Sequence, residues 1–294
     1  MKKTVSIVTL ILSSLIAFGQ EDLLSILESE AEPESSLIYA TFKGTRLING
    51  HSVETRGKHE LELLISHRFG EIDEGIYDLF GLDQANMRLG FNYGFTDRLT
   101  IGFGRSSFEK TYDGYVKYRL LQQTTGSKTV PLSITLFASS TVKTLRSDFY
   151  EDFNSRLAYT SQLLIARKFS PALSLQLMPT YIHFNLATPS QSDQYIVALG
   201  MGGRIKLSNR VSLNLEYYPR LNATEDELYD ALAVGFDIET GGHVFQLHFT
   251  NSRAMIEKGF IAETDDEFFA AEIRLGFNLS RTFMLKKSDQ LKTW

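Results

Sequence analysis

The stretch Met87-Arg88-Leu89-Gly90-Phe91-Asn92-Tyr93-Gly94-Phe95 decides the fold. Every odd position is apolar and every even one is polar or small. Successive strand residues point to opposite faces, so this is a strand with one apolar face and one polar face. The pattern recurs. Val211, Leu213, Leu215 and Tyr217 alternate with Ser212, Asn214 and Glu216. Ile273, Leu275, Phe277 and Leu279 alternate with Glu272, Arg274, Gly276, Asn278 and Ser280. The runs are about ten residues long, where strands of globular proteins average about five or six. About nine to eleven tilted residues cross a bilayer.

The connections fall into two sets. Phe95-Thr96-Asp97-Arg98-Leu99-Thr100, Phe169-Ser170-Pro171-Ala172-Leu173-Ser174 and Leu207-Ser208-Asn209-Arg210-Val211-Ser212 repeat one pattern: apolar, hydroxyl, two turn residues, apolar, hydroxyl. Gln123 to Lys128 and Glu239 to His243 are further short turns. The other set is mostly longer and more polar: Thr144 to Ser155, Ala187 to Gln194, Asn222 to Asp230 and Met255 to Glu267.

Strands are expected near 59–68, 85–95, 98–108, 112–122, 130–143, 156–169, 172–185, 193–207, 210–220, 230–239, 243–253 and 269–283. With Phe95 to Thr100 placed in the periplasm, every tight turn falls on that side. The sequence therefore predicts an all-β fold: an antiparallel transmembrane β-barrel of about 12 strands, with 14 as the alternative. Periplasmic turns are short and extracellular loops longer. A soluble periplasmic β-sandwich is the competing fold, and the long apolar outer faces argue against it.

Composition fits the barrel. The 294 residues are 43% hydrophobic and 12% aromatic, yet the mean hydropathy is only -0.12. A helical membrane bundle would be far more apolar, whereas a barrel turns every second strand residue to a polar interior. A net charge of -5 and the lack of a basic-aromatic patch give no footprint for nucleic acid. There is no Cys, which excludes disulfides and thiolate metal sites and suits an oxidising compartment.

The expected organisation is a signal peptide over 1–19, an acidic periplasmic segment over 20–36, and a plug or strap over 37–58. The barrel follows over 59–283 and a tail over 284–294. Lys2 and Lys3, the apolar run Thr4 to Phe18 and the small residues Ala17 and Gly19 carry the signal-peptide reading. The apolar residues of Asp73 to Gln84 suggest a short helix resting on or in the barrel.

Further stretches are distinctive. They are Ala40 to Thr55, His67-Arg68-Phe69-Gly70, Leu79-Phe80-Gly81-Leu82-Asp83, Gly104-Arg105-Ser106-Ser107, Glu109 to Lys117, Leu247 to Ser252 and Gly276 to Phe283. Together they resemble the β-barrel family known as domain of unknown function 5777, over nearly all of the expected mature chain. The resemblance implies an outer-membrane barrel. It brings no catalytic residue or substrate with it.

Enzyme signatures are missing. There is no Gly-x-Ser-x-Gly elbow. His59-Glu60 is not followed by a second His at metalloprotease spacing. Gly102 to Ser107 imitates a phosphate loop but lies in a strand-period segment with no helix after it. None of the six His sits in a recognisable Ser/His arrangement. The protein is therefore read as not an enzyme, with no catalytic residues, metal or cofactor.

The expected inward face holds the candidate lumen-lining residues Arg88, Lys117, Arg119, Glu216, Asp237, Gln246, His248, Glu272, Arg274 and Asn278. Internal salt bridging and an ion-sorting eyelet both fit this two-signed set. Inward glycines at Gly90, Gly102, Gly104, Gly200, Gly202, Gly235 and Gly276 suggest free lumen volume, although barrel corners need glycine too. The leading function is a passive channel or transporter for small solutes. The alternative is a structural or docking barrel, and an outer-membrane lipid-modifying enzyme is a third class. The expected partners are outer-membrane lipid, the barrel insertion machinery and a small solute, with no nucleic acid.

Overall fold

A computed structural model describes residues 35–73, 75–187, 194–222 and 228–286. The expected signal peptide, the acidic segment up to residue 34 and the tail beyond 286 lie outside these residues.

Twelve long strands form one closed barrel among the described residues. In chain order they are β1 (Glu60–Glu71), β2 (Ala85–Gly94), β3 (Leu99–Ser106), β4 (Tyr112–Leu121), β5 (Ser133–Val142) and β6 (Leu157–Lys168). They continue as β7 (Leu173–Phe184), β8 (Tyr195–Lys206), β9 (Val211–Tyr218), β10 (Ala231–Thr240), β11 (His243–Thr250) and β12 (Arg274–Met284). Each pairs antiparallel with its chain neighbour, and β12 closes on β1 from Met284↔Glu60 to Gly276↔Arg68. Closure leaves no long strand with a free edge.

The three repeated turns share one geometry, and the hydroxyl residue explains it. Thr96 Oγ1 accepts from the N–H of Arg98 and Leu99, at 3.2 and 3.0 Å. Ser170 Oγ accepts from Ala172 and Leu173, at 3.2 and 3.1 Å. Ser208 Oγ accepts from Arg210 and Val211, at 3.3 and 3.1 Å. The apolar residue before each hydroxyl donates its N–H to the carbonyl of Leu99, Leu173 or Val211. The hydroxyl thus satisfies amides that a two-residue turn leaves without a ladder partner.

These turns lie at one end of the barrel, with the 122–132 and 241–242 connections. At the other end lie the residues described between the remaining strand pairs: 72–73 and 75–84, 107–111, 143–156, 185–187 and 194, 219–222 and 228–230, and 251–273. Residues 75–83 are a series of turns with Ile76 and Tyr77 exposed, rather than the short helix expected there.

Alternation sorts the faces as the sequence predicts. On β2, Met87, Leu89 and Phe91 point outward and are exposed, while Arg88, Gly90 and Asn92 are buried inside. The inward face has two halves. From β9 round to β4 it is mostly polar, with Glu216, Asp237, Gln246, Asn278, Glu62, Arg68, Arg88 and Lys117 all buried. On β5 to β8 it carries a buried apolar patch that includes Phe137, Leu164, Met178, Ile182 and Ile196.

Candidate functional site: the occupied lumen

The N-terminal segment runs inside the barrel. Ser36 and Leu37 pair with Thr125 and Thr124 at the tight-turn end. Residues 41 to 55 are then buried apart from Lys43 and Glu54. An Arg46↔His51 bridge, a Ser52 N–H to Thr45 O bond of 3.0 Å and a Leu47 N–H to Gly50 O bond of 2.9 Å make a hairpin. Its tip is Leu47 to Gly50. A Cβ at Gly50 would lie 1.8 Å from the Tyr218 hydroxyl, so only glycine lets the tip approach that ring.

Inward polar side chains hold this hairpin. The Glu216 carboxylate accepts three backbone N–H groups of the tip, from Asn49 at 2.7 Å and from Ile48 and Gly50 at 3.2 Å each. Gln246 donates to Leu47 O at 2.7 Å and Asn278 to Ile48 O at 2.8 Å. Arg68 donates to Asn49 Oδ1 at 2.7 Å. On the returning arm, Lys117 donates to the carbonyls of Ser52 at 2.7 Å and Glu54 at 2.5 Å. Gln176 accepts from Val53 N and donates to His51 O, at 2.7 and 2.8 Å. Thr135 donates to Val53 O at 2.8 Å, and Thr100 accepts from Arg56 N at 2.8 Å. The hairpin's backbone groups thus find partners on the wall, as buried backbone must.

A second insert enters from the long-loop end. Helix α1 (Glu257–Ala262) is wholly buried, with Ala254, Met255 and Ile256 before it. Phe260 packs edge-on against Tyr218 at 5.0 Å. This corrects the expectation that Met255 to Glu267 is a polar external loop. Its apolar residues meet the apolar inward patch of β5 to β8.

Two ion clusters tie the insert to the rim. In one, Lys258 lies 2.6 Å from Glu263 and 3.5 Å from Glu109, and Lys143 pairs with Glu109. Burial works against the Lys143 charge, but Glu263 and Glu109 outweigh it and hold the ammonium above its usual range. In the other, Arg274 pairs with Asp266, at 2.5 Å, and with Glu71. Arg253 adds Asp265 at 3.1 Å.

The two inserts meet at Arg46 Nη1 and Glu257 Oε1, 2.9 Å apart. His51 lies beside them, its ring 4.5 Å from Tyr115 and 4.4 Å from Phe137. Its Nε2 is 3.7 Å from Glu257 Oε1. Burial holds this imidazole well below its ordinary range, and Arg46, Lys117 and Arg88 reinforce the shift. The gaps beside α1 are about 10 Å³ each, no more than one water could use.

The expected lumen residues take varied places. Lys117, Glu216, Gln246 and Asn278 contact the hairpin directly, as given above. Arg88 pairs with Asp113 at 2.9 and 2.5 Å. Asp237 accepts from Gln246 at 2.7 Å. His248 is buried with both ring nitrogens unpartnered. Arg119 reaches Glu54 at 3.5 Å near the tight-turn end. Arg274 belongs to the rim cluster. Glu272 is a correction: it precedes β12 and accepts the Glu267 N–H at 2.6 Å. Phe268–Ala270 form a 3-10 turn and Ala271 takes a φ of 68°, which ends the strand phase before Glu272.

The inward glycines are a third correction. A Cβ at Gly102 would lie 2.2 Å from the Tyr115 ring, one at Gly104 2.3 Å from Arg88, and one at Gly202 2.4 Å from Leu47. They make room for large neighbours and for the hairpin, not for solvent. Periodicity points to Glu62, Arg68, Thr135 and Gln176 as inward too. Arg46 and Glu257 lie outside any strand, so no alternation marks them. Among the described residues no three His, Asp or Glu side chains gather as metal ligands.

The family comparison agrees with the architecture. The sequence profile of the membrane-bound beta barrel domain, domain of unknown function 5777, matches residues 42–283. No curated protein matches the chain. Among solved structures, the NanC porin is 8% identical, with a TM-score of 0.48, over 76% of this chain and 100% of its own. The KdgM porin is 9% identical, with a TM-score of 0.45, over 77% and 99%. An outer membrane channel from Pseudomonas putida is 14% identical, with a TM-score of 0.40, over 78% and 96%.

Proposed function

The chain belongs to the membrane-bound beta barrel domain family, and from that premise we propose that it is an outer-membrane channel for small solutes held closed by its own N-terminal hairpin. The observation that carries this reading is the chemistry of the seat. Glu216, Gln246, Asn278, Lys117 and Gln176 grip the hairpin through polar atoms. The hairpin also packs Phe42, Leu47 and Val53 into the apolar core, but a permanent core would favour apolar packing throughout, because buried ionic contacts add little stability over well-packed apolar ones. The polar side chains of the seat, by contrast, become solvated when the hairpin leaves. The hairpin enters and returns at the tight-turn end, so withdrawal in that direction threads nothing through the barrel.

The test uses the absence of native Cys. Leu47 contacts the position a Cβ would take at Gly202, so Leu47→Cys/Gly202→Cys pins the tip to the wall. In a planar bilayer the oxidised pair should be silent, and reduction should restore discrete conductance steps. A second variant lacks 39–57 and carries a short Gly-Ser link in place of 254–264. If it remains heat-modifiable on gels and still passes no ions, the channel reading fails. The docking barrel then stands, a reading that the two rim ion clusters and the exposed Ile76, Tyr77 and Phe269 favour.

A further inference from the structure

The outer wall carries a groove of about 780 Å³ across β4 to β8, within the roughly 300–1,000 Å³ typical of small-molecule sites. Its floor is made of small outward residues, Ala138, Ser161 and Pro179, each near the middle of its strand. Larger neighbours rise beside it, among them Tyr118, Leu136 and Tyr181. The groove extends to Leu221, beyond the end of β9 at the long-loop end.

The groove overlies a weak seam. Pairing of β6 with β7 runs from Ala158↔Phe184 to Gln162↔Thr180 and resumes at Ile165↔Leu177. Leu163 and Leu164 lie opposite Pro179 and Met178 without assigned pairing. Proline has no N–H to give, and it is normally confined to edges and bulges. Here it sits inside a closed wall. Behind the seam, Gln162 donates to Thr180 Oγ1 at 2.8 Å, but Gln162 Oε1 and Thr160 Oγ1 have no partner.

We propose that this groove binds one acyl chain of a membrane lipid, its headgroup at the long-loop end and its tail along the Pro179 seam. The groove is continuous with the outward apolar band that lipid covers, so lipid reaches it without crossing water. It is recessed by its three small floor residues, which suits a thin flexible chain better than the convex wall of a second barrel. Its lining is almost wholly apolar, which suits the tail rather than a polar solute. The site stands independently of whether the lumen conducts.

Two measurements test it. Native mass spectrometry of protein extracted from membranes should show one retained lipid per barrel, lost in Ala138→Leu/Ser161→Leu, which fills the floor. The fold control is heat-modifiability. For the second, the one native tryptophan, Trp294, is changed to Phe and a probe is placed at Leu163→Trp or, as the reference wall position, Phe91→Trp. Brominated phospholipid should quench the groove probe at several-fold lower mole fraction than the reference. Equal quenching at both, a lipid retained despite the filled floor, or a protein dimer over the groove would each overturn the proposal.

Discussion

Arg46 and Glu257 are 211 residues apart in sequence and 2.9 Å apart inside the barrel, both buried. One belongs to the insert from the tight-turn end and the other to the insert from the long-loop end. The contact makes the two closures interdependent, because freeing either leaves a charge of the other without its partner. Removing one member of a buried pair costs about 3–5 kcal/mol, whereas removing both can be neutral. Arg46→Met should therefore lower the temperature at which the folded gel band disappears, and Arg46→Met/Glu257→Gln should recover most of the loss. If the double variant is no better than the single one, the pair does not couple the inserts.

Glu216 offers a cleaner way to loosen the hairpin. Its carboxylate takes three amides of the tip, and a hydrogen bond to a charged group contributes about 1.5–3 kcal/mol. Glu216→Ala should leave the barrel folded and heat-modifiable while raising channel open probability at least tenfold. A silent Glu216→Ala channel would show that the tip is held by something else.

Acid should act through His51. Burial, then Arg46, Lys117 and Arg88, keep the seated ring neutral. A released hairpin would titrate near the ordinary value of about 6.5. As pH falls through that value the released form gains a proton that the seated form refuses, so the seat is strongest above about 6.5 and weakens below it. Glu257 faces the same ring and works in the opposite sense. Burial raises its carboxyl despite Arg46, so protonation favours the seated form as pH falls. Wild-type opening between pH 7.5 and 5.5 is the difference of the two. His51→Phe removes the first and should shift that difference towards closure on acidification. Identical pH dependence in wild type and His51→Phe would rule His51 out.

The strands were legible because one rule, alternation, governs them from Met87 to Leu279. The hydroxyl turns were legible because their chemistry is local. The lumen contents were not. Residues 41–57 make contacts with strands up to about 230 residues away, and no period records such contacts. The apolar run Ala254, Met255, Ile256, Phe260, Ile261 and Ala262 was a usable signal, since a water-exposed loop has little use for it. The glycines misled because sequence shows an absent side chain but not the neighbour that fills the space. Tyr115 over Gly102 and Leu47 beside Gly202 are such neighbours.

The turn hydroxyls should contribute separately. Thr96→Ala, Ser170→Ala and Ser208→Ala each remove one acceptor for two turn amides. Water can replace it at these exposed sites, so each should cost about 0.5–1 kcal/mol. The turns share no partners, so the triple variant should cost the sum. Urea unfolding in detergent measures it, and a triple variant as stable as wild type would make the repeated motif irrelevant to stability.

Strand β12 separates the two faces within one element. Leu279 lies mid-strand and points outward, while Asn278 beside it points in. Leu279→Arg sets a charge against lipid, costing about 2–4 kcal/mol near the midplane, whereas Leu275→Arg near the rim should cost about 0–1 kcal/mol. Asn278→Arg fails differently. Asn278 donates to Ile48 O and to Gln246 Oε1 at 2.8 Å each, and it accepts from Arg68 at 3.2 Å. A second guanidinium there would face Arg68 and occupy the place of the hairpin tip. The barrel should survive and the hairpin should be expelled, exposing Arg46 and Arg56 to trypsin. The readouts differ accordingly: loss of folded band for Leu279→Arg, and an intact band with a trimmed N-terminus for Asn278→Arg. If Asn278→Arg instead unfolds the barrel while Leu279→Arg is tolerated, the inward and outward assignment of this strand is reversed.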